Sequence, residues 1–175
     1  MTDLKDSQEC KIIDTIENIY YPEEIIQTPC GKFLIGIECH SIYCYNLETR
    51  QKFRIAGSVK EQGYQDGTRD ESKFNCSKDV TLSNDLKTLF VADTLNRVIR
   101  AIYTQTGITT TFTGQVGKRV CVDGPKEKAC FTYPTTLKIS PDGKTLFCSD
   151  FKSLRTICIA TGQVDTIQNF KYNIY

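Results

Sequence analysis

The chain has 175 residues, 39% of them hydrophobic, with 22 Lys and Arg against 21 Asp and Glu. That balance argues against a generic binder of nucleic acid or of an anionic membrane. No apolar run approaches the ~18 residues of a membrane-crossing helix, and a compact chain of this length buries roughly 70% of its unfolded surface.

Residues 1–10 are polar, carry both charge signs and lack the apolar core of a signal peptide, so they read as a flexible tail of a cytoplasmic protein. Residues 11–16 have strand character, and Asp14-Thr15-Ile16 echoes Asp165-Thr166-Ile167. They are expected to form an outer strand that closes a neighbouring unit. Residues 20–56 hold a first set of strand signals, including the segment from Ile35 to Cys44. Nine cysteines, an odd number, lie mostly within apolar stretches and read as reduced, buried thiols. Cys121 and Cys130 flank one loop, and a bridge between them is the alternative in an oxidising compartment.

Two longer segments repeat. Residues 57–93 and 114–150 superpose at an offset of 57, with Gly57, Asp66, Gly67, Phe74, Ser83, Asp85, Lys87, Thr88, Leu89, Phe90 and Asp93 recurring as identities. Beyond Asp150 the later copy is two residues shorter, and Arg100, Ile102, Thr106 and Gly107 match Arg155, Ile157, Thr161 and Gly162. A weaker copy upstream aligns Pro22, Pro29, Gly31, Lys32 and Leu34 with Pro134, Pro141, Gly143, Lys144 and Leu146, and puts Glu38 where Asp93 and Asp150 stand.

Each copy has four strand signals. In the middle copy they fall at 78–82, 88–92, 98–103 and 108–112, separated by turns at Asn84-Asp85 and Thr106-Gly107. The second strand, Leu89-Phe90-Val91-Ala92, is apolar on both faces and must be covered on both sides. Ile108-Thr109-Thr110-Thr111-Phe112 is β-branched and more polar, as an outer strand is. No segment keeps a helical period for more than two turns. The expectation is an all-β fold, a β-propeller of three four-stranded antiparallel blades at about 20–56, 57–114 and 115–168.

Asp66-Gly67, Val91-Ala92-Asp93-Thr94, Asn96-Arg97, Ile99-Arg100 and Thr106-Gly107 together resemble the NHL repeat, a propeller family. The likeness covers residues 57–167 well and 20–56 weakly. The last copy lacks the Asn-Arg element after Asp150, and the first lacks the Asp-Gly loop. The resemblance implies an interaction module or scaffold that binds a protein partner. Related propellers also include metal-dependent, gluconolactonase-like hydrolases, histidine-dependent lyases and RNA binders.

The repeated residues have structural readings. Asp93, Asp150 and Glu38, once per blade, read as caps on backbone N–H groups of the following turn rather than as metal ligands. Arg100 and Arg155 read as partners of an acid in their own or the next blade rather than as a phosphate track. Asp66-Gly67 and Asp123-Gly124 form turns anchored by Phe74 and Phe131. Cys39-His40 with Cys44, and Cys30 nearby, contain zinc-type ligands, but the segment reads as strand–turn–strand. His40 is the sole histidine, which excludes a histidine-based zinc centre within one chain. No cofactor is expected. Lys118, Arg119, Lys126 and Lys128 make one loop basic and form the candidate interaction surface, with acids interleaved. RNA is the lesser expectation there.

Leu89, Val91, Ile102, Leu137, Ile139, Leu146, Phe147 and Ile157 are expected in the core. Three blades do not close a ring, and two open faces would expose roughly 700 Å² against the ~300–600 Å² usual for a monomer's largest apolar patch. Two chains completing a six-bladed ring, a partner that supplies blades, or a chain cut from a longer propeller would each cover those faces, and association is the expectation.

Overall fold

A computed structural model describes residues 22–38 and 40–167 of the chain. The expected tail at 1–10, the strand at 11–16, Cys39 and the end of blade 3 at Gln168 lie outside those residues.

The described residues are nearly all β, in three four-stranded antiparallel sheets, each wound in simple sequential order. Blade 1 holds β1 (Pro22–Gln27), β2 (Phe33–Glu38), β3 (Ser41–Asn46) and β4 (Lys52–Gly57). Blade 2 holds β5 (Asp79–Leu82), β6 (Thr88–Asp93), β7 (Val98–Tyr103) and β8 (Thr109–Thr113). Blade 3 holds β9 (Pro134–Ile139), β10 (Thr145–Asp150), β11 (Ser153–Cys158) and β12 (Val164–Thr166). The only helical turn among the described residues is a 3₁₀ turn at Thr94–Asn96. The fourth strand of blade 2 starts one residue later than the sequence signal, and Ile108 is exposed.

The turns form where local chemistry favours them. Ser83 and Asp85 bond each other's turn, with the Asp85 carboxylate accepting from Lys87 N and the Ser83 hydroxyl from Thr88 N. Ser140, Asp142, Lys144 and Thr145 repeat that arrangement in blade 3. Side-chain acceptors of this kind hold the backbone in a tight reversal.

Residues paired across antiparallel strands share a face. One core therefore lies between blades 1 and 2, where Ile35, Ile37, Ile42, Cys44 and Ile55 meet Phe74, Val80, Leu89, Val91 and Ile102. A second lies between blades 2 and 3, where Phe90, Ala92, Ile99 and Ala101 meet Phe131, Leu137, Leu146, Cys148, Ile157 and Val164. The middle blade is thus apolar on both faces because it is covered on both. Polar joints reinforce the stacking. The Asp79 carboxylate accepts from Leu137 N at 2.6 Å, and Thr94 Oγ1 donates to Pro134 O at 2.7 Å.

Two expected core residues are only half-buried. Ile139 packs at the margin of the second core, at the end of β9. Phe147 pairs with Lys138 and Thr156 on the face of blade 3 turned away from blade 2, where no described sheet covers it. Around it stand Thr136, Lys138 and Asp165, all exposed. At the matching positions of the covered face of blade 2 stand Asp79, Thr81 and Thr110, but also Ala92 and Ala101, which blade 3 replaces with Ser149 and Thr156. The free face of blade 3 is therefore largely polar among the described residues. The large apolar patch expected there is absent among the described residues.

Candidate interaction surface and the repeated joint

Each of blades 2 and 3 is tied to its entry loop by one buried arginine. In blade 2, Arg100 on β7 donates through Nη1 to Asp93 Oδ2 (2.9 Å) and Lys73 O (3.0 Å). Its Nη2 donates to Gln65 O (2.7 Å) and Asp66 Oδ1 (2.6 Å). In blade 3, Arg155 does the same with Asp150 (3.1 Å), Cys130 O (3.1 Å), Val122 O (3.0 Å) and Asp123 (2.7 Å). Phe74 lies 5.0 Å from the Arg100 guanidinium and Phe131 5.1 Å from that of Arg155, and both rings are fully buried. A planar fork with several donors can span this many acceptors; an ammonium cannot.

Asp66 and Asp123 also tie the entry loop to the outermost strand. Asp66 accepts from Thr111 N and Oγ1, and Asp123 from Thr166 N and Oγ1. Gly67 exchanges both backbone hydrogen bonds with Thr109, and Gly124 does so with Val164. The Asp-Gly turn thus acts as a short extra strand at the rim. Burial raises the Asp123 carboxyl, but the Thr166 hydrogen bonds and the Arg155 ion pair outweigh it and hold the group below the ordinary carboxylate range. For Asp93, burial prevails and pushes the carboxyl upward against Asn96, Asn75 N and Arg100.

The strand-end acids cap backbone groups, but on the preceding loop rather than on the following turn. Asp93 Oδ1 accepts from Asn75 N at 2.8 Å. Asp150 accepts from Thr132 N at 2.9 Å and Tyr133 N at 2.5 Å. The reason is direction: a carboxylate at the end of the second strand faces the entry loop, which crosses the sheet at that height. The following turn contributes only Asn96, whose Nδ2 donates to Asp93 Oδ2 (2.9 Å) and Gly63 O (2.8 Å). Blade 3 lacks that Asn, and the second backbone N–H on Asp150 takes its place.

Of the four basic residues, Lys126 lies near an acid. Lys126 packs against the turn at Gly162 and lies 3.8 Å from Glu127. Lys118 follows a turn closed by Lys118 N to Gln115 O, beside the Asn96–Arg97 turn, to which Gly117 N is bonded. Gln115 Nε2 donates to Glu127 O and Lys128 O, joining the two parts of the loop. Lys118, Arg119 and Lys128 are all exposed. Arg54, on β4 of blade 1, pairs with Asp70.

Other sequence candidates are dispersed. Among the described residues no group of three or more His, Cys, Asp or Glu side chains converges as a metal site would require. Cys30 is exposed and Cys44 buried, and both line an apolar cleft of about 330 Å³ between blades 1 and 2 with Phe33, Phe53, Leu82 and Leu86. Cys121 and Cys130 are free thiols. No described helix is long and apolar enough to cross a membrane. The roles of Thr111 and Thr166 escaped the sequence reading, although their spacing of 55 equals that of Arg100 and Arg155. The carbonyls of Gln65, Lys73, Val122 and Cys130 carry no sequence signal.

No protein-family model matches the chain, and no curated protein matches it. Solved structures do. A putative phosphatase from Bacteroides thetaiotaomicron is 19% identical with a TM-score of 0.64, the match covering 83% of this chain and 35% of that one. An auxiliary nutrient binding protein from Bacteroides ovatus is 18% identical with a TM-score of 0.62, covering 82% and 37%. A chain of a nidogen/laminin complex is 12% identical with a TM-score of 0.61, covering 86% and 48%. The described sheets and these propeller-like neighbours define a propeller-like fold. The chain spans about a third of the length of the Bacteroides structures it matches.

Proposed function

We propose that the chain is an NHL-repeat-type propeller module that binds a protein partner through its loops. The observation that carries this reading is the commitment of the repeated acids. Asp93 and Asp150 are wholly buried, and each is occupied by an arginine and by backbone N–H groups. An acid used in this way once per blade is a joint, whereas a catalytic centre gathers different groups at one point. What remains for recognition is the loop surface, where Lys118, Arg119 and Lys128 project. Proteins with this kind of fold include one described as nutrient binding and one in a complex of two proteins, so binding roles occur on it elsewhere. The polar free face of blade 3 offers a second copy little apolar area to bury, which favours a different protein over a homodimer as the partner.

The test is affinity capture from native extract with the full chain and with the double variant K118E/R119E. A protein recovered in stoichiometric amount by the wild type and lost from the variant is the expected result. Recovery of ribonuclease-sensitive material would replace the partner by RNA. Stoichiometric calcium or zinc in the purified protein would favour a hydrolase-like propeller instead.

A further inference from the structure

The turns that follow β6 and β10 are joined by one loop. Residues 94–97 make the turn of blade 2, and residues 151–152 make the shorter turn of blade 3. The start of the loop entering blade 3 runs from one to the other. Gly117 N donates to Asn96 O at 3.4 Å, and Cys121 Sγ donates to Ser153 Oγ at 3.9 Å. Lys118, Arg119 and Val120 therefore sit on a bridge of chain tied at both ends. The two turns and the bridge form one continuous surface.

The charge on this surface has one sign. Residues 94–97, 115–121 and 151–153 carry Arg97, Lys118, Arg119 and Lys152 and contain no Asp or Glu. The acids that border the turns, Asp93 and Asp150, are fully enclosed and paired with Arg100 and Arg155. Asp123, next along the loop, is held by Arg155 and Thr166. Among the described residues no acid forms an ion pair with any of the four cations. A chain of nearly balanced charge thus gathers a local positive excess where its loops are exposed.

Apolar side chains stand among these cations. Leu95, Val116, Val120 and Tyr133 are exposed, and Phe151, at 64%, is the most exposed large apolar side chain among the described residues. Phe151 N donates to Tyr133 O at 3.2 Å, and Lys152 Nζ lies 5.5 Å from the centre of the Phe151 ring. The ring belongs to neither hydrophobic core. Phe151 also has φ +52, a conformation that bulky side chains rarely adopt and that Gly or Asn fills at less cost. An exposed aromatic held at a strained position, with no fold contact to explain it, points to a ligand.

We propose, building on loop-mediated binding of a protein partner, that this surface takes an acidic segment of that partner, with carboxylates on Arg97, Lys118, Arg119 and Lys152 and an apolar side chain beside Phe151. Charge complementarity sets the sign of the segment and speeds encounter. Aromatic and arginine side chains within an apolar patch are the usual anchors of such an interface. The apolar side chains select peptide over nucleic acid. Leu95, Val116 and Val120 offer a base no flat face to stack on. Four cations also fall short of the roughly 6–10 phosphates that a strongly salt-dependent nucleic-acid binder contacts.

Fluorescence anisotropy on the full chain tests this with labelled probes: a short peptide alternating Glu with Leu and Phe, the same peptide with Lys in place of Glu, and an oligouridine. The Glu peptide is expected to bind with a Kd below about 1 mM and more tightly than the other two. The variant K118E/R119E is expected to weaken it roughly tenfold, and Phe151→Asn and Lys152→Glu severalfold each. Asn tolerates the positive φ, so the thermal melt of Phe151→Asn should stay at or above that of the wild type, and its lost affinity reports the ring and not the fold. No binding of the Glu peptide, or equal binding of its Lys counterpart, overturns the proposal. Undiminished binding by Phe151→Asn and Lys152→Glu overturns it as well. Tighter binding of oligouridine overturns it and gives the surface to RNA. The two readings fail separately: a protein captured from extract equally by the wild type and by Phe151→Asn keeps the protein-binding reading and overturns this surface, whereas capture of ribonuclease-sensitive material overturns both.

Discussion

Arg100 donates to Asp93 across 2.9 Å with both side chains fully enclosed, and the same guanidinium reaches Asp66, which is half open to solvent. One side chain thus joins the interior end of strand β6, the entry loop and the rim. Buried ion pairs are weak evidence for stability as pairs, but removing one partner strands the other. Arg100→Ala is expected to cost about 3–5 kcal/mol in denaturant melts, since it leaves the buried Asp93 carboxylate without its counter-charge and takes one donor from each of the Lys73 and Gln65 carbonyls. Arg100→Lys should recover only part of this, because an ammonium cannot span the fork. A loss below about 1 kcal/mol for Ala would show that the joint is dispensable.

Phe131 is fully buried against Arg155 and in the core between blades 2 and 3. Phe131→Ala is expected to cost about 3–5 kcal/mol by chemical denaturation, combining lost burial with the cavity left behind. A loss under about 1 kcal/mol would mean that the entry loop is held by its polar contacts alone.

Two glycines separate close approach from simple backbone strain. Gly57 has φ +90, and an added Cβ would stand 2.3 Å from His40 O, a backbone atom that cannot move independently. Gly117 has φ +73 with nothing within 4 Å of such a Cβ. Gly117→Ala is therefore expected to cost about 1 kcal/mol from φ alone, and Gly57→Ala several times more. Thermal melts of the two variants check the order.

The acid limb of stability should involve Asp123. Its folded carboxyl titrates below the ordinary range, so it adds stability that is fully present above about pH 4–5 and is lost as pH falls through the folded value. Asp123→Asn removes that titration, so the difference in melting temperature between wild type and variant should shrink steadily from pH 5 toward pH 2. A difference independent of pH would assign the Asp123 contribution to hydrogen bonding alone.

Thiol chemistry should sort the cysteines by environment. A hydrogen bond from Thr28 lowers the exposed Cys30 thiol, and one from Thr161 lowers Cys158. Burial pushes Cys44 up to about 11 and raises Cys148 further. Thiolate is the reactive form. Alkylation of the native protein at pH 8, mapped by peptide mass, is expected to modify Cys30 and Cys158 early, with Cys44 and Cys148 modified only on unfolding.

The sequence by itself determined the repeat and the strands. Leu89-Phe90-Val91-Ala92 is apolar at every position, and burial on both faces is the only stable use of such a strand. Ser83 with Asp85, and Ser140 with Asp142, fix turns through bonds only two residues long. Those are local effects, and local effects are legible in order along the chain. Only the tertiary structure decided where Asp93 and Asp150 find their donors, because Asn75 and Thr132 lie 18 residues away and serve through backbone groups that every residue possesses. It also decided the fate of Phe147, which copies Phe90 in sequence but faces Lys138 and Thr156 where Phe90 meets a further blade. A repeated motif specifies a side chain's place within its own blade; burial depends on what lies across the face, and that is a property of the stack.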